Sequence, residues 1–170
     1  MENCMGEYQH LEHEFAPEYH IDSKILILGS FPSAKSRELS FYYGHPQNRF
    51  WKVLAAVLKE KVPQTIIEKK AFLKKHQIAI WDVIQSCDIV GSSDSSIKNV
   101  EVANLSTIMN SCKIKQIYVN GRTAEKLYRK YSEKLTNQKA IALPSTSPAN
   151  ASFSLERLVQ EWQVIKDHLK

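Results

Sequence analysis

The segment YYGHPQNRFW, residues 42–51, concentrates aromatic rings and amide side chains in ten positions. Burial in a core accounts for Phe50 and Trp51, but it gives no reason for the Gly-His-Pro-Gln-Asn that precedes them. A tyrosine ring can stack on a flat ligand, and an asparagine amide can donate and accept hydrogen bonds at the ligand's edge. The segment therefore predicts a turn that binds a planar heterocycle by shape and hydrogen bonds.

Small or polar residues follow each of four short apolar runs: GSFPS at 29–33, Asp82, Asn120 with Gly121, and PSTSP at 144–148. They supply amides, hydroxyls and turns, but few strong acids or bases. The chain contains no nucleophile elbow, no GxGxxG and no GxxxxGK[ST], which disfavours nucleotide-cofactor and phosphoryl-transfer chemistry. The hydroxyls and loop amides of PSTSP suit the phosphates of a nucleic-acid backbone.

The apolar runs are predicted as strands of a buried sheet. The uninterrupted run Ile25–Leu28 is typical of a parallel strand covered on both faces, and 78–83, 116–120 and 140–143 are further strands. Helical spacing of apolar residues predicts the helices, which are 48–59, 64–75, 104–110, 123–131 and 155–169. Strands that alternate with helices indicate an α/β fold with a central four-stranded, mainly parallel sheet.

The order of these elements also predicts where a ligand binds. In parallel α/β sheets, ligands lie beyond the carboxyl ends of the strands. The four polar stretches are therefore expected to line one cleft, and residues 42–51 should project into it because they follow the first strand.

Composition sets the broad class. The chain has 170 residues, of which 43% are hydrophobic and 24% charged, as in one ordinary domain. Residues 1–22 are expected to form an irregular arm packed on a single domain at 23–170. The net charge of +5 permits nucleic-acid binding but is also common among other proteins. There is no apolar run of about 18 residues and no leader-like N-terminus, so a cytoplasmic protein without a membrane span is expected.

Metal and disulfide chemistry are not indicated. Cys4, Cys87 and Cys112 are widely spaced and form no CxxC pair. His10 and His13 have no clustered ligands near them in sequence, so a surface or packing role is expected. We expect neither a metal nor a cofactor.

Taken in order, LGSFPS, YYGHPQNRFW, VNG and LPSTSPAN resemble the uracil-DNA glycosylase superfamily, most closely its hypoxanthine-DNA (deoxyinosine) glycosylase branch. HPxNRFW after a Gly-x-x-Pro strand end is the specific feature, and the similarity extends from about Lys24 to the last helix. The resemblance implies a three-layer α/β/α sandwich that flips a deaminated base out of DNA and hydrolyses its N-glycosidic bond. Its partner would be DNA containing such a base, and it would act as a monomer without a metal.

The resemblance also implies roles for individual residues. Catalysis would depend on Asn48 and Asn120, and Tyr43 would stack on the flipped base. Phe31 occupies the position at which mismatch-type uracil and thymine glycosylases carry a water-positioning asparagine. Asp82, at a strand end, is then the second candidate for water activation.

Further residues would complete the base pocket and the DNA contact. Ser30, Phe31 and His45 are candidates for the base pocket. PSTSP matches the motif that grips phosphates and fills the vacated base stack. The candidate DNA-binding residues are Ser33, Ser145, Thr146, Ser147 and Pro148.

Structural alternatives remain for several of these residues. Asn48 is also suited to capping a helix, Asn120 to a turn, His45 to bracing a loop, and Asp82 to capping the loop after its strand. Three other functions stay open: a mismatch-type uracil or thymine glycosylase, which Phe31 argues against, a DNA-binding module that has lost catalysis, and a domain that binds a small nucleotide or phosphate.

Overall fold

The computed structural model describes residues 6–91 and 93–170, which form two sheets surrounded by helices. The strands are β1 Gln9–Glu12, β2 Ile25–Gly29, β3 Ile78–Asp82, β4 Ile84–Ile89, β5 Lys98–Val102, β6 Gln116–Asn120 and β7 Ala140–Leu143. The helices are α1 Ala34–Leu39, α2 Phe50–Leu58, α3 Ile66–His76, α4 Ser106–Ser111, α5 Arg122–Leu127, α6 Glu133–Thr136 and α7 Leu155–Trp162. Two 3₁₀ turns, Asp94–Ser96 and Gln163–His168, and a π turn, Tyr128–Ser132, complete the described elements.

The main sheet has the order β3-β2-β6-β7, and all its strands are parallel. All five residues of β2 and all five of β3 are buried, as expected for strands covered on both faces. This arrangement confirms the predicted α/β fold with a four-stranded parallel sheet between helices. Its four strands lie at the predicted positions because each one is a short apolar run that ends at small or polar residues.

Helix α2 fixes the polar segment before it against the core. Phe50 is fully buried and Trp51 is 5% exposed, which confirms their predicted core positions. The Phe50 ring meets Trp162 of α7 edge to face, with 5.9 Å between ring centroids. Burying such a side chain contributes about 1.5–3 kcal/mol to stability, so the start of α2 is firmly anchored and the residues just before it are held in place.

In the part of the chain that the structure describes, no helix is long and apolar enough to cross a membrane.

A second sheet, with the antiparallel order β1-β4-β5, was not predicted. A single residue, Val83, separates β3 from β4, and no glycine, proline or polar turn residue marks the change of sheet. Strand β1 has the sequence QHLE, in which only Leu11 is apolar, and it pairs with β4 along Gln9–Glu12. The expectation of an irregular arm over 1–22 is therefore wrong for these four residues. Positions 1–5 of that arm lie outside the described residues.

The arm continues from β1 along the edge of the main sheet. Glu18 exchanges two backbone hydrogen bonds with Ile80 of β3, of 2.9 and 3.1 Å. The Tyr42 hydroxyl donates to the carbonyl oxygen of Ala16 at 2.9 Å. Tyr42 is itself buried, so these contacts join the arm both to an edge strand and to the segment that carries the candidate amides.

Candidate active site

A cleft of about 660 Å³ lies at the carboxyl ends of the main-sheet strands. It brings together every residue that the sequence pointed to as a site candidate, and their individual roles stay predictions. The twelve residues are Ser30, Phe31, Ser33, Tyr43, His45, Asn48, Asp82, Asn120, Ser145, Thr146, Ser147 and Pro148.

A chain of hydrogen bonds joins the two candidate asparagines through Thr146. The backbone N–H of Thr146 donates to Asn120 Oδ1 at 3.1 Å, which fixes that atom as the amide oxygen. Asn120 Nδ2 then donates to Thr146 Oγ1 at 3.0 Å. Since a hydroxyl has only one hydrogen, Thr146 donates it to Asn48 Oδ1 at 2.9 Å. The direction of every bond in this relay, Asn120–Thr146–Asn48, is thereby determined.

The relay also fixes which part of Asn48 is available to a ligand. Its Oδ1 accepts a second hydrogen bond, from the backbone N–H of Phe50 at 2.9 Å, at the start of α2. The N-cap of α2 is Arg49, so Asn48 bonds the first helical N–H from the position before the cap and does not occupy the cap position itself. Within residues 6–91 and 93–170, no protein group binds its Nδ2, so the amide offers the cleft a donor. A donor can stabilise negative charge on a ligand but cannot accept a proton from water.

The relay gives the Thr146 side chain a structural role, and its role in DNA binding stays a prediction. The Thr146 side chain is fully buried and its hydroxyl is committed to the two asparagines. In this position its side chain holds both amides in a fixed orientation. The PSTSP sequence reads as an exposed polar loop, which is why residue types alone did not separate Thr146 from the serines beside it.

Arg49 holds the end of the PSTSP loop and the residues that follow it. Its guanidinium donates to the carbonyl oxygens of Ser147 at 2.9 Å and Asn150 at 3.1 Å, and it also donates to the carbonyl of Phe153. Hydroxyl groups shape the turn from inside, because Ser145 Oγ accepts from the Ser147 N–H at 3.1 Å. Arg49 was not among the predicted site residues. Its place in the motif directly after Asn48 was the only available signal.

Tyr43 has the geometry of a stacking platform. Its ring lies face to face with the Phe50 ring, 3.9 Å between centroids and 17° between planes, and the residue lines the cleft. Its φ of 54° is in the left-handed region, which is unfavourable for an aromatic residue and is held by the surrounding core. The buried hydroxyl has no hydrogen-bond partner among the described residues. Desolvation, together with the Asp82 charge, raises the Tyr43 pKa, and the nearby Asn120 amide only partly opposes this rise, so the hydroxyl stays protonated.

Gly29, the last residue of β2, allows two of these groups to approach each other. A Cβ at this position would lie 2.5 Å from Asp82 Oδ1 and 3.0 Å from the Tyr43 hydroxyl. The first distance is too short for a Cβ unless the carboxylate moves, and the second is tighter than most Cβ contacts. The glycine therefore lets the carboxylate and the phenol share the floor of the cleft.

Asp82 is 4% exposed and ends β3. Its Oδ2 accepts a 2.8 Å hydrogen bond from His13 Nε2, which the sequence placed only in a surface or packing role. The separation of 69 positions along the sequence hid this pair. Asp82 does not cap the chain that follows β3. The N–H groups of the next two residues, Val83 and Ile84, already donate to the carbonyls of Gly29 and Ser30.

The other predicted residues have identifiable structural partners. Ser33 caps α1, since its Oγ accepts from the Ser36 N–H at 3.2 Å. His45 braces its own turn, with Nδ1 accepting from the Gln47 N–H at 3.1 Å. Phe31 packs against the cluster under the second sheet and meets the His13 ring edge to face at 6.2 Å. Each still lines the cleft, so a ligand contact remains a prediction for all three.

Asp94 is a further carboxylate at the cleft wall that the sequence did not single out. Desolvation raises its pKa, and the charge of Asp82 acts in the same direction. Hydrogen bonds from Thr123 and Ser30 partly oppose this rise. Across the described ranges, no group of three or more His, Cys, Asp or Glu side chains is arranged to hold a metal ion.

Comparison with known proteins gives a consistent result. The model of the uracil DNA glycosylase superfamily matches residues 16–167. A hypoxanthine DNA glycosylase of Methanosarcina acetivorans is 35% identical over 149 residues, 86% of this chain and 92% of that protein. One of Methanosarcina barkeri is 32% identical over 110 residues, 64% of this chain and 70% of that protein. The solution NMR structure of a candidate uracil DNA glycosylase from M. acetivorans has a TM-score of 0.78 and 33% identity, and covers 91% of this chain and 96% of that one.

Proposed function

The chain belongs to the uracil-DNA glycosylase superfamily, and we propose that it is a DNA glycosylase that removes hypoxanthine from DNA by hydrolysing the N-glycosidic bond. Two relatives that carry the name hypoxanthine DNA glycosylase support this substrate. The observation that carries the proposal is the relay, which presents two oriented amides beside the Tyr43 ring in one cleft. We further propose that the protein acts as a cytoplasmic monomer without a metal or cofactor.

The cleft suits a base that has been turned out of the duplex. Its volume lies within the range of about 300–1,000 Å³ that is usual for ligand pockets. The face of Tyr43 opposite Phe50 is the stacking surface for the planar base. Phe50 already holds the Tyr43 ring in place, so little side-chain entropy is lost when a base binds against it. Stacking of a base on an aromatic side chain contributes about 1–3 kcal/mol.

Cleavage of the glycosidic bond leaves negative charge on the base and positive charge on the sugar. Asn48 Nδ2 donates to the departing base, whose negative charge grows in the transition state. Asn120 keeps one Nδ2 hydrogen and one Oδ1 lone pair beyond its bonds to Thr146, and we assign it to the base edge. Preorganised donors of this kind each contribute about 10²- to 10³-fold in rate.

The attacking water requires an acceptor, which Asn48 does not provide. Asp82 is the carboxylate on the floor of the cleft, and its Oδ1 has no hydrogen-bond donor among the described residues. We therefore assign Asp82 to the water and Asn48 to the leaving base. This division differs from a mismatch-type site, in which an asparagine at the position of Phe31 holds the water.

The test is excision from labelled duplexes that contain a single hypoxanthine, uracil or xanthine, followed by alkaline cleavage of abasic sites. We expect cutting at hypoxanthine. Asn48→Ala and Asn120→Ala should each reduce the single-turnover rate by about 10²- to 10³-fold while leaving the fold intact. Cutting only at uracil would identify a mismatch-type enzyme, and binding without cutting at any base would identify a DNA-binding module.

A further inference from the structure

His13 lies just after β1 and enters the active site from the N-terminal arm. Its side chain is 1% exposed and that of Asp82 is 5% exposed, so the 2.8 Å contact between them excludes solvent. The ring is packed against Phe15, with 4.5 Å between centroids, and against Tyr42 at 5.8 Å. Its backbone N–H donates to the Gln85 carbonyl at 2.7 Å. Both the ring and the backbone of His13 are therefore fixed relative to Asp82.

The contacts of the His13 ring determine its tautomer. A carboxylate oxygen only accepts, so Nε2 carries the hydrogen and donates it to Asp82 Oδ2. Nδ1 is buried and has no partner among the described residues. A buried ring nitrogen without hydrogen is less costly than a buried N–H without an acceptor. The neutral tautomer with its hydrogen on Nε2 therefore suits the surroundings of both ring nitrogens.

A role in stability alone does not explain this pair. Removing a carboxylate and an imidazole from water costs free energy that an apolar pair of similar volume would not require. The surroundings are aromatic and aliphatic, so such a replacement is available to the fold. The pair also leaves Asp82 Oδ1 unbound beside Gly29 and the Tyr43 hydroxyl, within the cleft.

We propose that His13 is a positioning residue that holds Asp82 in the orientation in which its Oδ1 receives a proton from the attacking water. This inference rests on the proposed glycosylase function. The water oxygen forms a bond to the sugar C1′, and the glycosidic C–N bond breaks with its electron pair passing to the base. The proton goes from water to Asp82 and afterwards to solvent or the departed base. The N-terminal arm is thus part of the active site.

The test is a double-mutant cycle in the full-length chain, made of the wild type, His13→Phe, Asp82→Asn and the double variant. Single-turnover excision of hypoxanthine is measured for each, with thermal unfolding as the fold control. We expect His13→Phe to reduce the rate by about 10- to 100-fold, because misplacement of a catalytic group by about 1 Å has effects of this size. In the Asp82→Asn background the same change should have no further effect on the rate.

A matched pair of variants separates hydrogen bonding from packing. His13→Gln places an amide nitrogen near the position of Nε2 and should retain most of the activity. His13→Asn is equally polar but too short to reach Asp82, and it should behave like His13→Phe. This pair also tests the proposal if the phenylalanine variant does not fold.

Two results would overturn the inference while leaving the glycosylase function in place. One is wild-type excision by folded His13→Phe or His13→Asn, and the other is a rate loss that multiplies with that of Asp82→Asn. A wild-type protein that cuts no hypoxanthine-containing duplex would instead overturn the proposed function and this inference together.

Discussion

Replacing Thr146 by valine removes the hydroxyl at the centre of the relay while preserving the shape of the side chain. The hydrogen bonds lost are those to Asn48 Oδ1 and from Asn120 Nδ2, of 2.9 and 3.0 Å. The Thr146 N–H remains bonded to Asn120, and the Phe50 N–H remains bonded to Asn48. Each asparagine therefore keeps one of its two anchors.

The magnitude follows from these two bonds. Leaving a buried polar group without its partner costs about 1–3 kcal/mol, and both amides are half-buried, so about 1–2 kcal/mol for each bond is appropriate. The free energy of unfolding should fall by about 2–4 kcal/mol, which corresponds to about 5–15 °C in Tm for a domain of this size. The excision rate should fall by about 10- to 100-fold, less than on deleting either amide, because each amide keeps one anchor.

Thermal unfolding and single-turnover excision of hypoxanthine measure the two effects separately. Thr146→Ser is the matched control, since it keeps the hydroxyl and loses only a methyl group. It should cut at close to the wild-type rate. The reasoning fails if Thr146→Val cuts as fast as the wild type, or if Thr146→Ser is as slow as Thr146→Val, which would assign the effect to packing.

Three further changes test other parts of the site. Gly29→Ala should reduce the excision rate by about 100-fold with a normal fold, because the new Cβ displaces Asp82 or Tyr43; a wild-type rate would contradict this. Arg49→Lys keeps the charge but loses the planar guanidinium that bonds several carbonyls at once. It should lower the free energy of unfolding by about 2 kcal/mol and raise KM for duplex DNA. Unchanged stability and KM would show that the loop does not depend on these hydrogen bonds. The raised pKa of Asp94 means that the native protein holds this proton to higher pH than the unfolded chain does. The free energy of unfolding therefore falls as pH rises through that interval. Asp94→Asn should remove this fall in urea titrations made between about pH 3 and 7, and parallel curves for the two proteins would refute it.

The main sheet and the location of the cleft could be predicted because they depend on local patterns. Runs such as Ile25–Leu28 are apolar without interruption, and each ends at small or polar residues. Because ligands bind at the carboxyl ends of parallel strands, segments far apart in sequence could be predicted to meet at one cleft. Asn48 and Asn120 could be paired on this basis, although they are far apart in sequence.

The second sheet and the His13–Asp82 pair could not be predicted, because no local pattern encodes them. Strand β1 is mostly polar and is stabilised by backbone pairing with β4, so its side chains carry no period. The position of His13 follows from that pairing. The role of Thr146 was hidden for a related reason, because its burial and its hydrogen bonds to Asn48 and Asn120 arise from segments far apart in sequence.

The fixed direction of the relay has a consequence for undamaged DNA. Adenine carries an amino donor where hypoxanthine, its deamination product, carries a carbonyl acceptor. An asparagine that is free to turn its amide over could bind either base. The N–H of Phe50 and the O–H of Thr146 both point at Asn48 Oδ1, so this amide cannot invert without facing donor against donor twice. In the proposed reaction Asn48 can therefore offer the base only a donor, which suits the carbonyl of hypoxanthine and not the amino group of adenine.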